Sequence, residues 1–281
     1  MRYPDFHLEW RSAPQEQSNL TTSTSNGDST TTMSEQAMGR QTFCADTQMT
    51  SPASLHPGAE TVAWSQTCRR EGGVVSLTVV EHPLTKHYLT ALRDKNTSTE
   101  LFRETTRRLA YTLLMEATGD MVLDEIPIDT PLEPTTGYRL HHDLVAVAVL
   151  RAGLGLLEAV LDLLPQVKVG YAGVQRDEDT AEPQEYYTKF PNPLSDCKVI
   201  ILEPMLATGG SLSWAADRIK EHGAADITAL CVVAAPAGVA RMEQDHPDVR
   251  VVAAALDEGL TPNFFIRPGL GDMGDRLFGT L

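Results

Sequence analysis

Cations are scarce in this chain. Lys and Arg together number 23 against 38 Asp and Glu, a formal charge of -15 at neutral pH. The summed field repels phosphate polyanions, which argues against a general nucleic-acid or anionic-membrane surface, so any phosphate must be gripped locally. Cysteine is sparse too: Cys44, Cys68, Cys197 and Cys231 lack paired spacing, so neither a zinc site nor a disulfide framework is expected and a reducing compartment is favoured. Long apolar runs are missing as well. The most apolar stretch, residues 144–164, is broken by Arg151, Glu158 and Asp162, too many charges for a lipid-spanning helix. The opening MRYPDFHLEWRSAP has no signal-type apolar run, and its Asp5 and Glu9 count against an organelle transit peptide. The expectation is a cytoplasmic protein with neither nucleic acid nor membrane among its partners.

What the chain does hold falls into two textures. Residues 18–34 read SNLTTSTSNGDSTTTMS, 11 of 17 being Ser or Thr, and so little apolar surface cannot offset chain entropy. A disordered low-complexity tail is expected over 1–73 and a folded domain over 74–281. From Val74 onward strands and helices alternate, as in α/β folds. VVSLTVV, DLVAVAVL, QVKVGYAGV, KVIILEPM, ITALCVVAA and VRVVAAAL read as strands, the continuous apolar ones as buried parallel strands. Helices are predicted over 100–118, capped by the Thr and Ser before it and with Leu101, Leu109, Leu113 and Leu114 towards one face, and over 155–164, 212–222 and 237–246. Residues 176–193 lack this rhythm and suit an arm or hairpin loop. His82, His87, His141 and His142 have no metal-ligand spacing, so no protein metal site is expected.

The chemistry concentrates in EPMLATGGS, residues 203–211. A strand delivers Glu203, and a Gly-rich turn opens a helix whose first N–H groups lack intrahelical partners. Such a turn binds phosphate against the helix dipole. The lysine of the pattern G-x-x-x-x-G-K-[ST] is absent, which disfavours a nucleoside triphosphatase. A carboxylate just before a monophosphate cup can accept hydrogen bonds from two vicinal sugar hydroxyls, as a ribose 5-phosphate would offer; a plain helix cap is the bland alternative.

EPMLATGGS also closely resembles the phosphoribosyl pyrophosphate (PRPP) motif of uracil phosphoribosyltransferases. The likeness continues, in family order, through EHPLTKHYLTALRDKNTSTELFRE, LRAGLG, VQRDEDTAEPQEYY, VVAAPAG and IRPGLGDMGDRLFGT. It implies the type I phosphoribosyltransferase fold, a mostly parallel sheet flanked by helices with a protruding arm, and conversion of uracil and PRPP to UMP and pyrophosphate. The implied PRPP contacts are Arg151, Arg176, Glu203, Pro204, Met205, Leu206, Ala207, Thr208, Gly209, Gly210, Ser211 and Asp272. Those to uracil are Ile266, Gly271, Asp272 and Met273, largely through backbone groups. Mg²⁺, a nucleotide activator such as GTP and a homo-oligomer are implied in the same way. Three positions depart from the family's pattern: Glu203 stands where Asp is usual, Met273 replaces a small residue and Arg267 an aliphatic one. These departures keep two alternatives open, a non-catalytic nucleotide-binding or regulatory relative and a phosphoribosyltransferase for another base.

Overall fold

The apolar runs lie side by side in one sheet. The computed structural model describes residues 65–67, 77–176 and 183–280, all within the unit Ala59–Leu281. The chain order begins with strands β1 (Ser65–Thr67) and β2 (Leu77–Val80), helices α1 (Pro83–Arg93) and α2 (Thr99–Thr118), and strands β3 (Leu123–Asp129), β4 (Pro134–Leu140) and β5 (Asp143–Leu150). Helix α3 (Leu154–Leu163), strands β6 (Lys168–Arg176), β7 (Pro183–Lys189), β8 (Cys197–Leu202) and β9 (Met205–Leu206), helix α4 (Gly210–Glu221) and strand β10 (Asp226–Ala234) follow. Helix α5 (Pro236–Asp245), strands β11 (Arg250–Leu256), β12 (Gly259–Leu260) and β13 (Ile266–Arg267), and helix α6 (Met273–Phe278) complete it. The expected tail, apart from Ser65–Thr67, lies outside the described residues.

The main sheet runs β1-β2-β11-β10-β8-β5-β6-β7, with β9 paired to β10. Its interior pairings are parallel and its two edge pairings antiparallel. Six consecutive residues of β5 are buried, because helices cover both faces and alternate side chains point into each. Ala146 and Ala148 face a core built with Phe102, Leu109 and Leu113 of α2 and Leu156 of α3. Val145, Val147 and Val149 face a second core with Ala215 and Ile219 of α4 and Met242 of α5. Each fully buried Leu or Phe contributes about 2 kcal/mol by area removed from water.

Local chemistry sets the element boundaries. The Ser98 hydroxyl caps α2 by accepting the Leu101 N–H at 3.3 Å. Leu101, however, is 46% exposed; Phe102 fills the inward position instead. Helix α1, unassigned from sequence, starts at Pro83 with His82 Nδ1 accepting the Leu84 N–H at 3.1 Å, a Pro start that the missing N–H makes inexpensive. The β3–β4 hairpin was also unassigned; it forms a separate two-stranded ribbon whose residues are exposed or half-buried, so it carries neither core alternation nor a continuous apolar run. Strand β7 turns the expected arm into an edge hairpin with β6.

From β5 the chain steps to β6 on one side, while β8 and β10 lie on the other. This reversal leaves a crevice at the carboxyl ends of β5 and β8, where doubly wound sheets bind ligands.

Candidate active site

Strand β8 ends at Leu202, and Glu203 follows with its N–H on the Leu230 carbonyl at 3.1 Å. The Pro204 carbonyl accepts the N–H groups of Val232 and Val233 at 2.8 and 3.1 Å, and Leu206 accepts that of Ala235 at 2.8 Å. Residues 203–206 are therefore stitched to β10 and to the residue after it. Gly209, the residue before α4, has φ +81° and no side chain caps the helix. A cup of residues 205–212 with Glu203 results, and the first N–H groups of α4, which have no intrahelical partner, suit an anion there.

Beside it lies a cavity of about 320 Å³ that shares Glu203, Met205, Ala207 and Ser211 with the cup. Its other wall comes from far along the sequence: Ile266, Gly271, Asp272 and Met273, with Asn263, Phe264 and Phe265 alongside. Glu203, though charged, is 9% exposed. Asp272 caps α6, its side chain accepting the Asp275 N–H at 2.9 Å, and is itself exposed to solvent. Met273 both lines the cavity and packs in the core at 1% exposure.

Arg151 follows β5 across a cis peptide and directs Nη2 to Asp275 Oδ1 at 3.1 Å. The Thr280 hydroxyl donates to the same oxygen at 2.6 Å. That bond first, and Arg151 after it, hold the Asp275 carboxyl below its ordinary value against the opposing effect of burial. A Cβ on Gly274 would sit 3.3 Å from Asp272 Oδ1 and 3.7 Å from Arg151 Nη2, so a guanidinium and a carboxylate converge beside the cavity.

The sequence-predicted residues thus divide. Glu203, Met205, Ala207, Ser211, Ile266, Gly271, Asp272 and Met273 share one cavity; Leu206, Thr208, Gly209 and Gly210 complete the cup; Pro204 is buried and lines neither. Arg151 stands at the edge through Asp275. Arg176 closes β6, and its side chain lies outside the description. Residues 263–265 and Ala152 were not anticipated. Two adjacent half-exposed aromatics, Phe264 at 46% and Phe265 at 49%, were the available signal.

Residues 79–280 match the family model described as uracil phosphoribosyltransferase. The chain belongs to the uracil phosphoribosyltransferase family. A uracil phosphoribosyltransferase of Salinibacter ruber is 48% identical over 205 residues, 73% of this chain and 98% of that one. One from Listeria innocua is 49% identical over 203 residues, 72% and 97% of the two chains. Among solved structures, the AQ2163 protein of Aquifex aeolicus superposes with a TM-score of 0.69 at 37% identity, covering 72% of this chain and 97% of its own. The fold is the type I phosphoribosyltransferase architecture of that family. No helix of the described residues is long and apolar enough to cross a membrane.

Proposed function

We propose that this chain transfers the phosphoribosyl group of PRPP to uracil, releasing UMP and pyrophosphate. Uracil N1 bonds to C1 of the sugar, the C1–O bond to pyrophosphate breaks with its electron pair, and the N1 proton passes to the departing pyrophosphate or to water. Positive charge grows on the sugar and negative charge on the leaving group, so both need preorganised partners. The cup of residues 205–212 holds the 5-phosphate and Glu203 accepts the two sugar hydroxyls. Arg151 and Arg176 meet pyrophosphate with forked donors. Backbone groups of Ile266 and residues 271–273 read the alternating edge of uracil, which disfavours a base that leaves them unpaired.

Mg²⁺ enters as part of the donor. Among the described residues no group of three or more His, Cys, Asp or Glu side chains is placed to hold a metal ion. Two carboxylates, Glu203 and Asp272, line the cavity, a donor set that suits a hard cation shared with phosphate oxygens. Asp272 would hold it, and bound there it would offset the charge of the leaving pyrophosphate. The same reading takes residues 74–281 as the catalytic domain behind a tail at 1–73, places it in the cytoplasm, and includes a homo-oligomer and a GTP-type activator.

The observation that carries this reading is the shared cavity, with a phosphate cup and acid on one wall and a backbone-rich turn on the other. Its test is UMP formation from uracil and PRPP with Mg²⁺. Glu203→Ala and Arg151→Ala should each lower kcat/KM by about 100-fold; a wild-type protein that makes no UMP at saturating substrate overturns the proposal.

A further inference from the structure

The turn that meets the base contains no long element to hold it. It runs from β13 through Pro268, Gly269 and Leu270 to the first residue of α6, and Gly269 and Gly271 take φ of +60° and +84°. A single side-chain pair secures its centre. Asp257, just past β11, accepts the Gly269 N–H on Oδ2 at 2.8 Å. Arg93, the last residue of α1, donates Nη1 to the Gly269 carbonyl at 2.8 Å. The two side chains then close on each other, Nη1 to Oδ2 at 2.8 Å and Nη2 to Oδ1 at 2.6 Å. Both polar groups of one peptide residue are thereby satisfied by an ion pair whose carboxylate side chain is 5% exposed. Arg276 repeats the device one residue on. It donates to the Leu270 carbonyl at 2.8 Å and to the carbonyls of Leu92 and Asp94, stacking over Phe102 at 4.2 Å. The end of α1 is thus a backstop for the turn.

We infer that Asp257 and Arg93 are positioning residues for base recognition: through Gly269 they set where the backbone groups of residues 271–273 present themselves. This rests on the reading that those groups bind uracil. A bidentate pair fixes direction as well as distance, and a displacement of about 1 Å in a recognition element costs up to about 100-fold. The pair touches neither the phosphate cup nor Arg151, and of the PRPP contacts only Asp272 lies in the stretch it positions, so its loss should be felt far more on uracil than on PRPP.

The measurement is the pair of KM values for Asp257→Asn and Arg93→Lys. Asn keeps the shape of Asp257, and its oxygen can still accept from Gly269 and Arg93 Nη1, but it loses the charge and turns an amide NH₂ towards Arg93 Nη2, so the fork is broken; KM for uracil should rise about tenfold while KM for PRPP rises by a clearly smaller factor. Arg93→Lys keeps the charge but loses the fork, and should give a smaller rise of the same selectivity; it decides the matter should Asp257→Asn not fold. Equal rises in both KM values, or a lower melting temperature with both KM values unchanged, would reduce the pair to a structural role and overturn the inference. A wild-type enzyme without UMP synthesis would instead overturn the reading beneath it.

Discussion

Residues 203–211 and residues 266–273 face each other across one cavity and are held by different means. The first stretch is a continuous strand, turn and helix, bonded through its backbone to the neighbouring β10. It rests on α5 so closely that a Cβ on Gly238 would fall 2.7 Å from the Ala207 carbonyl oxygen and 2.8 Å from that of Leu206. The second stretch begins as β13, paired to β12, and beyond Arg267 borrows its support from side chains on α1, after β11 and on α6. One wall is shaped by what has been left out, the other by charges brought in. Adding atoms should damage the first, and removing a charge the second.

The sharpest test adds bulk to the cup. At Gly209, φ is +81° and a Cβ would lie 3.0 Å from the Gly238 carbonyl oxygen and 3.1 Å from Arg241 Cβ. A β-branched residue meets both a disfavoured backbone and backbone neighbours that cannot rotate away. Gly209→Val should therefore lower kcat/KM for PRPP by 100-fold or more, about 2.7 kcal/mol of transition-state stabilisation, with KM for uracil little changed. Steady-state kinetics with each substrate varied in turn would check it; an equal loss on the uracil side would erase the contrast between the two walls.

Gly238→Ala asks the same of the support beneath. Its methyl would press on two carbonyl oxygens, so either α5 or the loop must retreat. The expected cost is about 1–3 kcal/mol, the range of an overpacked contact, read from denaturant midpoints. KM for PRPP should rise by a smaller factor than with Gly209→Val, because the strain is shared with α5. A variant as stable and active as the parent would mean that the loop does not rest on Gly238.

These two walls also explain what a linear reading could and could not see. The cup lies within ten consecutive residues, and the strand before it and the helix after it announce themselves by apolar pattern. Phosphate binding by such a turn depends on backbone donors, so its position was legible from Gly209, Gly210 and the acid upstream. The parallel sheet was legible for a similar reason, since strands covered on both faces leave uninterrupted apolar runs such as residues 144–150. The support of the turn at residues 268–271 was not. Arg93 and Asp257 stand 164 residues apart, and nothing in either neighbourhood marks an Arg at a helix end or an Asp after a strand as a clamp. Helix α1 and the β3–β4 ribbon escaped because each exposes much of its surface, which dilutes the period on which recognition depends. Resemblance picked out Ile266 and residues 271–273 without supplying what holds them.

The cup has side-chain staples of its own, and one of them measures how far the contrast extends. Asp245 accepts from the Ser213 hydroxyl at 2.9 Å and from Arg241 Nε at 3.2 Å, tying α4 to α5. The Ser213 bond first, then Arg241, hold the Asp245 carboxyl below its ordinary value against the opposing effect of burial. A carboxyl depressed in the folded state adds stability above its unfolded pKa, about 3.9, and that stability is lost as pH falls through the folded value. Ser213→Ala should therefore cost about 1 kcal/mol near pH 7 and progressively less below about pH 4, as the carboxyl takes up its proton first in the unfolded state and then, at lower pH, in the folded one. Urea unfolding at a series of pH values would show the two curves converging in acid. Kinetics should barely change, because the backbone bonds to β10 and the packing against Gly238 remain. Were Ser213→Ala instead to weaken PRPP binding as much as Gly209→Val, the cup too would depend on borrowed side chains, and the distinction between the two walls would fail.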